Sequence, residues 1–495
     1  MSSSTITISP GSLEATNGSG HGAPAGAAST GRSPKASITN VISSFQSNSP
    51  AAEPFPARFS ALKKQIWKDG LVETWRQVLA ELEGAVEEIK EKGSEIIPRV
   101  SFSDIQRGLS HDQLQALRRT GVIVVQGGIP KEEALGWKRS IQEYAAANKD
   151  LLKGFPPNNI QMFEIYNSRS QLLARTHPSV LQTQIFLNSL WRTSDPNSPI
   201  SLSTPVSYFD RLRIRQPDAA SEKGRFVLNG LSPHIDGGSI ERWEDEGFRK
   251  CWDKVLAGGS KWKEFDPFDA TPRLEANQDL YNAPNQCSVF RTWQGWTSLS
   301  TTGPTEGTLR VLPNLSLATA YIILRPFFRS TSPTSLKADD WVVDLENPTF
   351  PGSKITMTQA LSNDTHPHLR LNDSIVSIPK VEPGDQVYWH CDLVHAVEAE
   401  HLGKGDSSVV YIPAAPLTTR NVEYLQAQRE NLMKGYPPPD FPSDEGEARF
   451  RSRGTPGDVS TEEGRRLLGL SPFIIPDGAT EGAKRVIEEA NKMLF

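Results

Sequence analysis

At 495 residues the chain is long enough for one large domain or two ordinary ones with ample core. A formal net charge of −5 leaves no basic footprint for nucleic acid, and no apolar run reaches membrane-spanning length at a mean hydropathy of −0.43. Cys251, Cys287 and Cys391 are too few and too scattered for a disulfide framework or a zinc cluster, and residues 1–5 lack a secretory pattern, so a cytoplasmic protein in a reducing compartment is expected.

Residues 1–53 are dominated by Ser, Gly, Ala, Thr and Pro, a composition that cannot offset its ordering entropy, and a disordered tail is expected there. Residues 54–100 read as an N-terminal helical segment: Leu62, Ile66 and Trp67, then Trp75, Val78, Leu79, Leu82 and Val86 recur at three- and four-residue spacing. Glu87, Glu88, Lys90, Glu91 and Lys92 form its solvated face. Residues 111–117 predict a further helix, and the β-branched run 121–126 predicts a buried strand turned by Gly127 and Gly128. Pro130 then opens another helix, and short helices and loops follow between 155 and 200. From 206 onward strands dominate, at 208–214, 290–298, 307–312, 374–378, 386–390 and 408–412. The expected fold class is α+β: a double-stranded β-helix (jelly-roll or cupin-like) core over 101–430, flanked by helices. A Trp-, Glu-, Lys- and Pro-rich stretch at 240–285 reads as an insertion on that core, and 431–495 as a C-terminal loop and helical extension.

The chemistry concentrates in two segments, Pro233-His234-Ile235-Asp236-Gly237-Gly238 and Tyr388-Trp389-His390-Cys391-Asp392-Leu393-Val394-His395. In an extended strand residues i and i+2 point to one face, so His234 and Asp236 can approach one ion while Ile235 faces away. Two glycines follow, where a strand must turn or a ligand comes close to the backbone. His395 lies 159 residues beyond Asp236, so only folding can close a site from the three. Two imidazoles and one carboxylate on one face of a metal leave the opposite positions open, which suits a non-haem Fe(II) that binds a co-substrate and O2. His390, five residues before His395, competes for the distal place. His366, His368 and His401 sit in polar, loop-like sequence and are expected to be exposed.

Four stretches carry a resemblance. They are Asp210-Arg211-Leu212-Arg213-Ile214-Arg215-Gln216-Pro217, His234 through Trp243, Glu306-Gly307-Thr308-Leu309-Arg310-Val311-Leu312-Pro313, and Gly384 through Val397. Through them the chain resembles Fe(II)/2-oxoglutarate-dependent oxygenases of the phytanoyl-CoA hydroxylase type, and more closely domain-of-unknown-function family 1479, over roughly 100–430. The resemblance implies His234, Asp236 and His395 as iron ligands, because the related hydroxylases use the second histidine of such a pair. His390 then stands behind the ligands or meets 2-oxoglutarate or substrate. It also implies 2-oxoglutarate and O2 as co-substrates and oxidation of a C–H bond, with succinate and CO2 as co-products. Hydroxylation is the default outcome, with desaturation or cyclisation open.

A 2-oxoglutarate co-substrate needs a cation for its distal carboxylate, and arginine's fork matches that geometry. Many relatives carry that arginine about a strand beyond the distal histidine, yet 407–412 has no basic residue here. Arg310 is therefore the first candidate, Arg213 the second and Arg211 the third. Tyr208, Trp293, Trp296 and Tyr411 are candidates to wall a pocket, and Glu241, Arg242 and Trp243 to cover its mouth. Two other classes stay open: a keto-acid-independent cupin dioxygenase or isomerase, and a non-catalytic metal-binding cupin module. The expected partner is a small molecule, with an amino acid or other small carboxylic acid suggested by the nearby arginines. No nucleic-acid or membrane partner is expected, and the oligomeric state is left open.

Overall fold

The helix Leu71–Lys92 shows how the periodic apolar residues are used. Leu71, Trp75, Val78, Leu79, Leu82, Val86 and Ile89 share its buried side, and Gly93 ends it at φ +54°. Trp75 stacks on Tyr321 and Phe328, at 5.4 and 4.5 Å between ring centroids. This docks the helix against Leu315–Leu324, which is apolar all round and buried. The structure, a computed structural model, describes residues 55–218, 230–283, 286–442 and 444–495. The tail expected at 1–53 lies outside the described residues.

Two large sheets hold the centre of a mixed α+β architecture. The first has eight strands in the order Arg99–Ser101, Val122–Gln126, Gln386–His390, Trp293–Ser298, Ser407–Tyr411, Leu212–Arg215, Met162–Phe163 and Gly154–Phe155. The second has five, in the order Gln359–Ala360, Leu231–Ile235, His395–Val397, Leu309–Val311 and Val376–Ser377. Strands expected from alternation at 290–298, 307–312, 374–378 and 386–390 are present with shorter or equal bounds. Along the chain, Leu212–Arg215, Trp293–Ser298, Gln386–His390 and Ser407–Tyr411 join the large sheet, with strands of the small sheet between them. That interleaving brings segments far apart in sequence side by side.

Register decides which side chains look inward. Directly opposed residues of antiparallel strands share a face, and the face alternates along each strand. In the small sheet His395 lies opposite both His234 and Val311, whereas Ala396 lies opposite Arg310. In the large sheet Gln294 lies opposite Trp389, Trp296 opposite Tyr411, and Val409 opposite Arg213. Alternation therefore puts Gln294, Trp296, Tyr411, Val409, Arg213 and Trp389 on one face. The Trp389 ring lies 5.3 Å from that of His395, so this face looks onto the small sheet's histidines.

The segment from 240 folds into short helices and turns, Glu241–Glu244, Glu246–Arg249, Asp253–Leu256 and Gly259–Glu264 among them. Its tryptophans Trp243, Trp252 and Trp262 are buried in the main core. Near the C-terminus the helix Glu481–Leu494 buries Val486, Ile487, Ala490 and Leu494 in a separate cluster with Val422 and Leu425. No helix among the described residues is long and apolar enough to cross a membrane.

Candidate metal centre

His234, Asp236 and His395 offer three ligand atoms that all lie within 4.8 Å of one another. Nε2 of His234 is 3.7 Å from one Asp236 carboxylate oxygen, and Nε2 of His395 is 3.4 Å from the other. Each ring is fixed from behind. Nδ1 of His234 contacts the Ser232 carbonyl at 2.7 Å, and Nδ1 of His395 the Leu393 carbonyl at 2.9 Å. A carbonyl only accepts, so each Nδ1 carries the proton and each Nε2 turns its lone pair towards Asp236. That is the tautomer a metal-binding imidazole needs, with the outer hydrogen bond that orients such rings. Burial also pushes His234 down to about 4, with the neighbouring His395 adding to the effect, so it stays neutral. For Asp236 burial acts upward, but the surrounding groups, the permanently charged Arg291 among them, outweigh it and hold the carboxyl well below the usual range. In the amide orientation its neighbours require, Gln294 donates to Asp236 at 2.8 Å and accepts from Trp389 Nε1 at 3.2 Å. The donor set thus fits a divalent metal ion.

Local sequence explains how the pair is aimed. Leu231 pairs with Val397 and His234 with His395, so the His234 strand carries one extra residue, a bulge that includes Pro233. Proline has no N–H to lose from the ladder there. Gly237 and Gly238 take φ of +73° and +87°, and a Cβ on them would stand 2.4 Å from Gln278 Oε1 and 2.7 Å from Phe248. The left-handed φ strains any other residue at both positions, and at Gly238 the Phe248 ring also blocks a Cβ.

Arg242 then braces the turn. Its guanidinium donates to the carbonyls of Asp236, at 3.3 Å, and Gly237, at 2.9 Å, and pairs with Asp392 at 3.0 Å. Arg273 binds the same carboxylate, and all three groups are buried. Asp392 thus ties the loop of one metal-binding segment to the other. Glu241, Arg242 and Trp243 do not cover a mouth: Trp243 donates to the Ile323 carbonyl at 3.0 Å inside the core, and Arg242 works beneath the loop. Asp392→Ala is expected to destabilise the metal-free protein by about 3–5 kcal/mol, since it strands two buried guanidiniums. Urea denaturation checks this, and a loss under about 1 kcal/mol would mean the brace bears no load.

His390 does not reach the triad. Its ring is fully buried, stacks on Trp191 at 4.8 Å, and its Nε2 contacts the Pro267 carbonyl at 3.1 Å. Burial pushes it down to about 4. The neighbouring group His390, Cys391 and Asp392 is a poor cation site, because two guanidiniums already occupy Asp392. His366, His368 and His401, expected at the surface, are buried. His368 packs against Trp75 and Trp341 and His366 against Tyr321, while His401 is held in a turn by Asp218 and Gly403, none of which local polarity reveals.

The arginine candidates separate by face. Arg310 shares the Ala396 face, away from the histidines, and donates to the Ile375 carbonyl at 2.7 Å. Arg211 is spent on Asp210 at 3.3 Å and lies over the Phe441 ring. Arg213 sits on the inner face, buried, donating only to the Gly307 carbonyl at 3.0 Å and Ser407 Oγ at 3.3 Å. Its Nε has no partner, and it pairs with no carboxylate among the described residues. Among the aromatics, Trp296 and Tyr411 share this inner face, whereas Trp293 points outward to donate to the Leu187 carbonyl. Arg291, which sequence reasoning passed over, acts electrostatically on Asp236 and lies 5.2 Å over the Tyr208 ring. No local pattern distinguishes it in the sequence.

A family described as Gig2-like matches residues 53–470. The Escherichia coli (strain K12) protein YbiU is 34% identical over 395 residues, covering 77% of this chain and 87% of its own length. The crystal structure of GlcNAc Inducible Gene 2, GIG2 (DUF1479), from Candida albicans is similar at 30% identity and a TM-score of 0.79, over 90% of this chain and 96% of that one. Hypothetical protein JW0805 from Escherichia coli is similar at 31% identity and a TM-score of 0.70, over 86% of this chain and 100% of that one.

Proposed function

The chain belongs to the Gig2-like family, and from that premise and the triad we propose that it is a non-haem Fe(II)/2-oxoglutarate-dependent oxygenase acting on a small molecule. The observation that carries this reading is the pair of histidines held through Nδ1, with both Nε2 atoms turned to one carboxylate. The strand interleaving between the two sheets supports reading the core as a double-stranded β-helix, with the triad between its faces. Iron bound there supplies the redox chemistry that couples O2 and a keto acid to oxidation of a C–H bond, releasing succinate and CO2.

The protein's own residues do the rest. His234, Asp236 and His395 would hold the metal, and three protein ligands would leave it positions for co-substrates. Gln294 holds the Asp236 carboxylate by a hydrogen bond, and Arg242 fixes the backbone beneath it. Arg213 takes the distal carboxylate of 2-oxoglutarate: it is an inward guanidinium with no carboxylate of its own, next to the strand start at Ser407. Trp296 and Tyr411 on the same face exclude water from the space between. Hydroxylation is the outcome proposed. A keto-acid-free cupin reaction would leave Arg213 buried without a purpose for its charge.

The test is anaerobic addition of Fe(II) and then 2-oxoglutarate to the purified protein, watching for the weak visible band of the chelate. The band is expected. Iron binding without it would favour the keto-acid-free reading, and no iron binding would remove the metal reading altogether.

A further inference from the structure

Arg291 lies two residues ahead of the strand Trp293–Ser298, half-buried, with its guanidinium over the Tyr208 ring. Among the described residues it donates no hydrogen bond and pairs with no carboxylate. The carboxylates around it are committed elsewhere. Asp210 pairs with Arg211 at 3.3 Å, and Asp440 accepts from Tyr208 Oη at 3.1 Å and the Ser288 amide at 2.8 Å. Asp236 belongs to the triad. A half-buried guanidinium with no protein acceptor keeps its fork open to an anion that arrives beside it.

That anion is not 2-oxoglutarate. Val409 pairs with both Arg213 and Ser298, so Arg213 stands level with the far end of the Trp293–Ser298 strand. Arg291 lies beyond the near end. At 3.3 Å per residue the two ends of that strand are roughly 16 Å apart, more than one small dicarboxylate spans. Two cations at opposite ends of one strand, one buried and one half-buried, with the triad's Gln294 contact between them, suit two separate anions.

We propose that Arg291 receives the carboxylate of the primary substrate, which makes the substrate class small carboxylic acids, presented to the metal from the Tyr208 side. This rests on the oxygenase reading and extends it to the substrate. Arginine's planar fork binds a carboxylate in a bidentate manner, and the Tyr208 ring beneath it limits the approach to one side.

The experiment uses the full chain, anaerobically, loaded with Fe(II) and 2-oxoglutarate. The probes are lactate, benzoate and the common L-amino acids, each titrated against its primary amide by calorimetry and by the shift of the chelate band. At least one carboxylate is expected to bind about tenfold more tightly than its amide, the scale of one charge-assisted contact. Arg291→Gln should remove that preference and Arg291→Lys restore part of it. The affinity for 2-oxoglutarate should stay within about threefold in both, because Arg213 lies at the other end of the strand. A carboxylate preference that survives in Arg291→Gln, or none in the unaltered protein, overturns the proposal. If the chelate band never forms, the oxygenase reading has failed, and the same calorimetry without iron still decides whether Arg291 selects carboxylates.

Discussion

Asp236→Ala is expected to abolish Fe(II)-dependent turnover and to weaken Fe(II) binding by more than about 100-fold, since even an outer partner of a metal ligand is worth 10- to 100-fold. The reason is local. Asp236 is the one carboxylate of the group, and both imidazoles turn their Nε2 atoms towards it. Without it two neutral nitrogens remain, with no anionic charge to hold a hard cation. Gln294 would also lose the oxygen it donates to. An anaerobic Fe(II) titration reads the loss directly. His390→Ala is the contrasting variant: it removes a buried ring stacked on Trp191 and should cost stability while leaving iron affinity within a few fold. Full activity in Asp236→Ala would sink the triad.

The second large effect concerns the co-substrate. Arg213→Gln is expected to raise the dissociation constant of 2-oxoglutarate by roughly 100-fold, the equivalent of about 3 kcal/mol for a buried charge-assisted contact. Iron affinity should hardly change, because Arg213 touches the Gly307 carbonyl and Ser407 Oγ and no metal ligand. Arg310→Gln serves as the control. Its side chain is on the far face of the small sheet, so co-substrate affinity should stay within about twofold. Titrating the chelate band with 2-oxoglutarate distinguishes the two variants. Equal losses would show that face assignment does not govern the anchor.

How far the site could be read in advance follows from the range of the interactions involved. The spacing of His234 and Asp236 is a two-residue property of any strand, and the paired glycines after it mark a turn with left-handed backbone. Both are visible in six consecutive residues. The helix Leu71–Lys92 is equally legible, because its buried positions repeat with the period of the helix itself. The ranking of Arg310, Arg213 and Arg211 was not legible. Each lies in a short strand-like run, and alternation within a run says only that neighbours face opposite ways.

By itself the sequence determined the periodic elements and the His234–Asp236 pair, and its resemblance gave the family and the choice of His395 over His390. The first two depend on local geometry, the last two on resemblance across several stretches. The tertiary structure alone decided that Arg213 faces inward and Arg310 outward, that His390 is walled in by Trp191, and that Arg291 stands over Tyr208 beside the site. It also decided that Arg242, Arg273 and Asp392 lock the two metal-binding segments together. All of these depend on the register between strands, or on loop contacts, separated by tens to hundreds of residues. A slip of one residue in any such pairing turns every side chain of a strand to the other face, and no local pattern records which register the folded chain adopts.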